Sequence, residues 1–238
     1  MNLCFSIKTT SSQLLIDQYL IHYWPISNGT MLDVIGSADM ITNNLTNFTV
    51  DRFGNENSAL ALNGGYTQIS SGVYFNTPEF TISVWVYPQE VGSWSRIIDF
   101  GNGNGNASDN IVFALSYGTT LQPTFQIFDG TQHPSVILAE SNKNLRLNTW
   151  QFLTVTFNGT NSCIYLNGIL TVNLPMNYTL PIVQRNNCYI GKSFDWRNGY
   201  SWSYIDDLRF YNRSLTQKEI FNLMNTNYGE IHFISFII

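Results

Sequence analysis

The stretch Trp150–Leu174 reads Trp-Gln-Phe-Leu-Thr-Val-Thr-Phe-Asn-Gly-Thr-Asn-Ser-Cys-Ile-Tyr-Leu-Asn-Gly-Ile-Leu-Thr-Val-Asn-Leu. Leu153, Val155 and Phe157 recur with period two, so they share one face of a strand, while Phe152, Thr154 and Thr156 point the other way. Asn158–Asn161 reads as a turn and Ser162–Leu166 as a second strand. Asn167-Gly168 is a strong hairpin signal, because both central residues of a type I′ turn need positive φ. Ile169–Leu174 then returns as a third strand. An antiparallel meander of this kind must bury one face, so the rest of the chain is expected to supply an opposing sheet.

Outward from this stretch, the same period recurs. In Phe80–Tyr87, Phe80, Ile82, Val84 and Val86 alternate with Thr81, Ser83, Trp85 and Tyr87, and Pro88 is expected to close the strand. Further strands are read at Leu20–Trp24, Ala59–Leu62 continuing to Tyr66–Ile69, Trp94–Phe100, Ile111–Tyr117, Thr124–Phe128, Ser135–Ala139, Cys188–Gly191 and Tyr204–Tyr211. Met31–Asn47 reads as an irregular excursion and Gly101–Asn110 as a Gly/Asn loop. In the last strand, strict alternation puts Asp206 and Asp207 on opposite sides. One helix follows. Thr216 and Glu219 make a capping box, Leu215 and Ile220 a hydrophobic staple, and Ile220, Leu223 and Met224 one apolar stripe. It is expected to span about ten residues as a lid on the sandwich edge.

The chain has 238 residues, and no Pro/Ser-rich linker or charge run divides it. Residues 1–18 read as a lead-in and 19–226 as one sandwich. Residues 227–238 read as an edge strand or the cut beginning of something longer. Ile231–Ile238 is far short of a membrane span, and Met1–Ile7 lacks the basic start of a signal peptide. Charged residues make up only 11% and the formal charge is −5 with no Lys/Arg cluster. Nucleic acid and anionic membrane surfaces are therefore unfavourable partners. Surface polarity must come largely from Asn, Thr, Ser and Gln.

Seven Asn-x-Ser/Thr sequons stand at Asn28, Asn44, Asn47, Asn106, Asn158, Asn177 and Asn212, several in expected turns. They read either as glycan acceptors of a secreted chain or as ordinary turn chemistry. Of Cys4, Cys163 and Cys188, the last two both begin strand-like runs, so they either form one bridge or pack as free thiols.

Aromatic residues gather at Trp94, Phe194, Trp196, Tyr200 and Trp202, with Asn102, Asn104, Asp109, Asp195 and Arg197 among them. Sugar rings stack on exposed aromatic faces while Asn, Asp and Arg bond the hydroxyls, so this set describes a glycan surface. The competing reading is that the rings cover the sandwich rim. Trp85 and Trp150 read as packing residues. The three histidines, His22, His133 and His232, make no zinc spacing. Glycoside hydrolysis needs two facing carboxylates, and only Asp99 with Glu90 offers a weak pair, so a hydrolase stands behind the binding readings.

The blocks His22–Pro25, Asp51–Gly54 with Ala59–Gly64, Phe80–Pro88, Trp150–Gly168, Tyr189–Gly191 and Ile205–Thr216 ending in Glu219-Ile220 follow one another in an order that resembles the concanavalin A-like jelly-roll group, of the laminin-G-like class. The resemblance covers about residues 20–225. It implies an all-β fold, a two-sheet antiparallel jelly-roll sandwich with a short C-terminal helix and with the first strand beside the last. It also implies a secreted or extracellular binding module, part of a larger protein, for glycan or for extracellular protein. Similar domains often hold calcium at the sandwich edge. Asp33, main-chain carbonyls around Gly36, and Asp206 or Asp207 are the expected ligands for one structural ion. An internal charge pair between Asp207 and Arg209 or Arg52 is the alternative use of those residues.

Overall fold

A computed structural model describes residues 18–42, 45–103, 108–130, 137–175, 177–194 and 198–226. The expected lead-in and tail, and Cys4, lie outside them, apart from Gln18.

The strands are β1 (Leu20–Trp24), β2 (Met40–Thr42), β3 (Asn47–Thr49), β4 (Ala59–Ala61), β5 (Thr67–Ile69), β6 (Phe80–Glu90), β7 (Arg96–Gly101), β8 (Ile111–Ala114), β9 (Thr124–Ile127), β10 (Ile137–Glu140), β11 (Gln151–Phe157), β12 (Asn161–Leu166), β13 (Ile169–Pro175), β14 (Asn187–Ile190) and β15 (Trp202–Tyr211). One helix, α1 (Gln217–Asn225), follows. Among the described residues, one sheet runs β13-β12-β11-β6-β15-β4-β3, with β1 also on β15, and the other runs β10-β9-β8-β7-β14-β5-β2. All pairings are antiparallel. The first strand lies beside the last, as the resemblance implies.

The meander forms as its sequence requires. Phe80 faces Phe157, Ile82 faces Val155 and Val84 faces Leu153 across β6 and β11. All six are buried in the main core with Phe100, Phe113, Phe125, Cys188 and Ile205. Each such aliphatic or aromatic side chain contributes about 1.5–3 kcal/mol on leaving water. Asn167 and Gly168 have φ of +52° and +74°, the signature of the I′ turn.

Several expectations need correction. β6 runs past Pro88 to Glu90, and β15 shifts register opposite this end, which accommodates a residue without an N–H. Met31–Asn47 is not wholly irregular, since it carries β2 and leads into β3. Helix α1 packs on the outer face of the first sheet rather than its edge. Leu215, Ile220 and Leu223 join Phe152, Tyr165 and Tyr211 in a second, smaller core. Finally, Cys163 and Cys188 are both free. Cys163 packs against that outer core and Cys188 lies in the core between the sheets, so a whole sheet layer separates the thiols and no bridge can form.

The sharpest departure concerns Asp206 and Asp207. Register slips between Asp206 and Arg209 on β15, and Asp207 takes φ of +54°. This bulge turns both carboxylates to one side. Arg52 grips both, Nη1 on Asp206 and Nη2 on Asp207 at 2.6 Å. Arg209 adds a contact to Asp207 at 2.8 Å, and the Tyr23 hydroxyl donates to Asp207 at 2.5 Å. Burial, then the neighbouring Asp207 carboxylate, push the Asp206 carboxyl well above its usual range, against the pull of Arg52 and Arg209.

Candidate functional site

The outer face of the second sheet carries a row of side chains one strand apart: Leu138, Gln126, Val112, Asp99, Tyr189, Gln68 and Ile41. Their sequence neighbours Phe125, Phe113, Phe100, Cys188, Ile69 and Met40 point into the core, so period two forces this row outward. Over the middle of the row lies a cleft of about 230 Å³, lined by Trp94, Arg96, Asp99, Ser108, Asn110, Val112, Gln126, Phe128, Ser193, Phe194 and Asn198.

Asp99 is the fixed point of its floor. Oδ1 accepts from Asn110 Nδ2 at 2.7 Å, and Oδ2 from the Phe194 N–H at 3.0 Å and the Ser193 hydroxyl at 3.3 Å. Arg96 Nε stands 3.5 Å away. Burial raises the Asp99 carboxyl above its ordinary value, although Arg96 and the donated N–H pull the other way. These bonds tie the segment after β14 down over β7 and seat Phe194 on the rim.

Trp94 forms the opposite wall. Its φ of +55° is unusual for a bulky residue. The conformation is held by its own N–H donating to Gly118 at 2.7 Å and by Arg96 Nη1 donating to its carbonyl at 3.0 Å. The Trp94 ring meets Tyr117 edge-on at 5.1 Å. The cleft is therefore a polar floor of buried Asp99, Asn110 and Gln126 between aromatic walls of Trp94, Phe128 and Phe194. Such a shape suits a ring with one apolar face and hydroxyls round its edge.

Of the residues singled out from sequence, Trp94 and Phe194 line the cleft. Asn102 and Asp109 sit beside it rather than in it. Asn102 Nδ2 donates to Asp109 at 2.8 Å, while the Ser108 hydroxyl, on the lining, accepts from the Asn102 and Gly103 N–H groups. Tyr200 lies further along the same sheet, stacked on Tyr66 at 6.0 Å. Trp202 lies over Gly64, where any side chain would strike the indole. Asn104, Asp195, Trp196 and Arg197 lie outside the described residues. Arg96, Ser108, Asn110, Gln126 and Phe128 escaped the sequence reading. Their signal was polar residues alternating with core hydrophobes on β7 and β9, which becomes a site only when the strands are placed side by side. Asp99 does not face Glu90, which stands exposed at the end of β6 in the other sheet.

The residues expected to hold calcium are not brought together. Asp33 Oδ1 accepts from the N–H groups of Tyr23 at 3.0 Å, Ile35 at 3.3 Å and Gly36 at 2.9 Å. Its Oδ2 takes His22 Nδ1 at 2.6 Å and Ala38 N–H at 3.1 Å. Gly36 thus presents its N–H, not its carbonyl, to this carboxylate. His22 stacks on Trp24 at the core side of β1, whereas the Tyr23 hydroxyl reaches Asp207 on the other side. Asp206 and Asp207 are already neutralised by Arg52 and Arg209. Calcium needs six to eight oxygens free of such donors, so this set does not fit it. Among the described residues no group of three or more His, Cys, Asp or Glu is placed for a metal.

Asn28, Asn47, Asn158 and Asn177 are exposed, and Asn212 is half-buried with Oδ1 enclosed. Asn44 and Asn106 lie outside the described residues. No described helix is long and apolar enough to cross a membrane.

Comparison with known proteins agrees with this architecture. Domain 4 of AbnA, a GH43 extracellular arabinanase from Geobacillus stearothermophilus solved in complex with arabinotriose, is similar in structure. The TM-score is 0.67 at 16% identity, over 86% of this chain and 98% of that one. Botulinum neurotoxin type C, whose cell entry depends on interaction with two ganglioside molecules, gives 0.66 at 17% identity over 90% of this chain and 52% of that one. The binding domain of botulinum neurotoxin serotype D/C VPI 5993 gives 0.66 at 18% over 88% and 52%. This chain thus spans about half the length of those toxin chains. No protein of curated function matches in sequence. Residues 62–221 match the Laminin_G_3 family, and the chain belongs to that family of the Concanavalin A-like lectin/glucanases superfamily.

Proposed function

We propose that this domain is a non-catalytic carbohydrate-binding module of an extracellular protein, and that the cleft on the outer face of the β10-to-β2 sheet is where the sugar sits. The observation that carries this reading is the pairing of a buried hydrogen-bonding floor at Asp99, Asn110 and Gln126 with the Trp94, Phe128 and Phe194 rings. The arabinotriose in the complex of the similar arabinanase domain supports an oligosaccharide as the ligand class. Among the described lining residues Asp99 is the one carboxylate, whereas hydrolysis takes a facing pair, which supports binding over cleavage. Calcium has no part in the reading, since the expected ligands serve other partners. Exposed sequons at Asn28, Asn47, Asn158 and Asn177 support a secretory route.

The test is a glycan array probed with folded protein, first with calcium and then with chelator, alongside Trp94→Ala and Phe194→Ala. Saturable binding that survives chelation and falls about tenfold or more in each variant is the expected result, the loss typical of removing one buried aromatic anchor. Absence of any binding by protein whose cooperative unfolding is intact would overturn the reading.

A further inference from the structure

Next to the cleft, one strand spacing along the row, stands Tyr189, paired across β7 and β14 with Asp99. It meets Tyr66 edge-to-face at 5.7 Å, and Tyr66 in turn stacks on Tyr200 at 6.0 Å with an interplanar angle of 21°. Lys192 reaches over this group, its ammonium 4.4 Å from the Tyr66 centroid and 4.6 Å from that of Tyr189. Tyr200 remains 45% exposed. The rings and the cation therefore make a platform continuous with the cleft. Lys192 is followed directly by Ser193 and Phe194, which form the cleft rim.

We propose that this platform is a second subsite, and that it takes an anionic unit of a linear oligosaccharide whose neighbouring unit occupies the cleft. The proposal rests on the carbohydrate reading above and extends it to a ligand class. Three observations carry it. First, the geometry is that of a continuous track: Asp99, Tyr189 and Gln68 lie in one row across β7, β14 and β5. Two strand spacings come to about 10 Å, enough for more than one sugar ring. Second, Lys192 is held by aromatic faces rather than by a counter-ion, and no described carboxylate forms an ion pair with it. An ammonium so placed keeps donors for an incoming oxygen while the rings hold its position. Third, the described acid that stands beside Tyr189 on the row is no competitor. Asp99 is buried, its oxygens already accept from Asn110, Ser193 and Phe194, and Arg96 faces it. Among the described residues the platform thus presents one ammonium, that of Lys192, without a paired carboxylate, on a chain whose formal charge is −5. That contrast favours a carboxylate or a sulfate ester over a neutral hydroxyl, since hydrogen bonds to charged acceptors are about twice as strong as neutral ones.

The experiment uses an array holding neutral, uronate-bearing and sulfated oligosaccharides, with Kd values for the best of each class measured by titration. Wild type, Lys192→Gln and Tyr200→Ala are compared, each checked for an unchanged cooperative melt. The wild type is expected to bind anionic oligosaccharides about tenfold tighter than neutral ones of the same length, an advantage that shrinks with added salt. In Lys192→Gln this ratio collapses toward one, and Tyr200→Ala lowers affinity for the longer anionic ligands. The uronate and sulfate arms identify which anion is preferred. Tightest binding to neutral glycans, or an equal loss across classes in Lys192→Gln, overturns the second subsite while leaving the cleft reading in place. No binding to any class by folded wild type overturns both.

Discussion

Asp33 shows how a side chain chosen as a metal ligand comes to serve the fold instead. Burial alone would raise its carboxyl. The hydrogen bond from His22 and the N–H groups of Tyr23, Gly36 and Ala38 outweigh that and bring it down from 3.8 to about 2. Because the folded value lies below the unfolded one, the stabilisation is complete above about pH 4 and is lost as pH falls through about 2. It amounts to about 2 kcal/mol. Urea midpoints measured between pH 5 and pH 2 should fall accordingly, and Asp33→Asn should lower the pH 7 midpoint while flattening this acid limb. An acid limb of the same depth in the variant would show that other carboxylates produce it. Asp99 presents the opposite case, a carboxyl pushed up by burial, and its bonds to the 193–194 segment explain why a costly group is kept there.

At the scale of elements, local chemistry and tertiary context divide cleanly between α1 and β15. The helix starts where its sequence says. Thr216 Oγ1 accepts from the Glu219 N–H at 3.4 Å, and Glu219 accepts from the Thr216 N–H at 2.8 Å. Arg213 holds the same carboxylate through a contact of 2.8 Å, and its hydrogen bonds help bring Glu219 down to about 2. Thr216→Ala is expected to cost about 1 kcal/mol in chemical denaturation. A loss below about 0.3 kcal/mol would mean that packing of Ile220 and Leu223, not the cap, positions the helix. In β15 alternation holds to Ile205 and resumes at Leu208, but the bulge between them puts Asp206 and Asp207 on one side rather than on two. Alternation cannot reveal a bulge, because the extra residue is decided by what the strand must reach. Here that is Arg52, more than 150 residues away, laid over the Trp85 ring at 4.7 Å.

For the whole molecule, stability comes from one large apolar layer between the sheets and a smaller one beneath α1. Buried ion pairs such as Arg52 with Asp206 and Asp207 sit outside both, on the first sheet's outer face. With the expected calcium ligands spent on N–H donors and guanidinium groups, the melting temperature is expected to stay constant when EDTA replaces calcium. A fall of several degrees on chelation would reveal a bound ion elsewhere in the chain.

The antiparallel sandwich, its meander, its tight Asn167-Gly168 turn and the capped helix were all legible in sequence. They depend on period two, on positive φ and on capping groups a few residues apart, which are local quantities. The aromatic walls Trp94 and Phe194 were legible as residue types. What only tertiary structure decided was which residues meet. The cleft draws its lining from β7, β8 and β9 and from the segments before β7, before β8, after β9 and after β14, Tyr200 joins Tyr66 rather than Trp94, and Asp33 stays on the far side of β1 from Asp207. Such meetings are set by strand order and register over long sequence separations, and hydrophobic alternation, which says in or out, carries no record of neighbours.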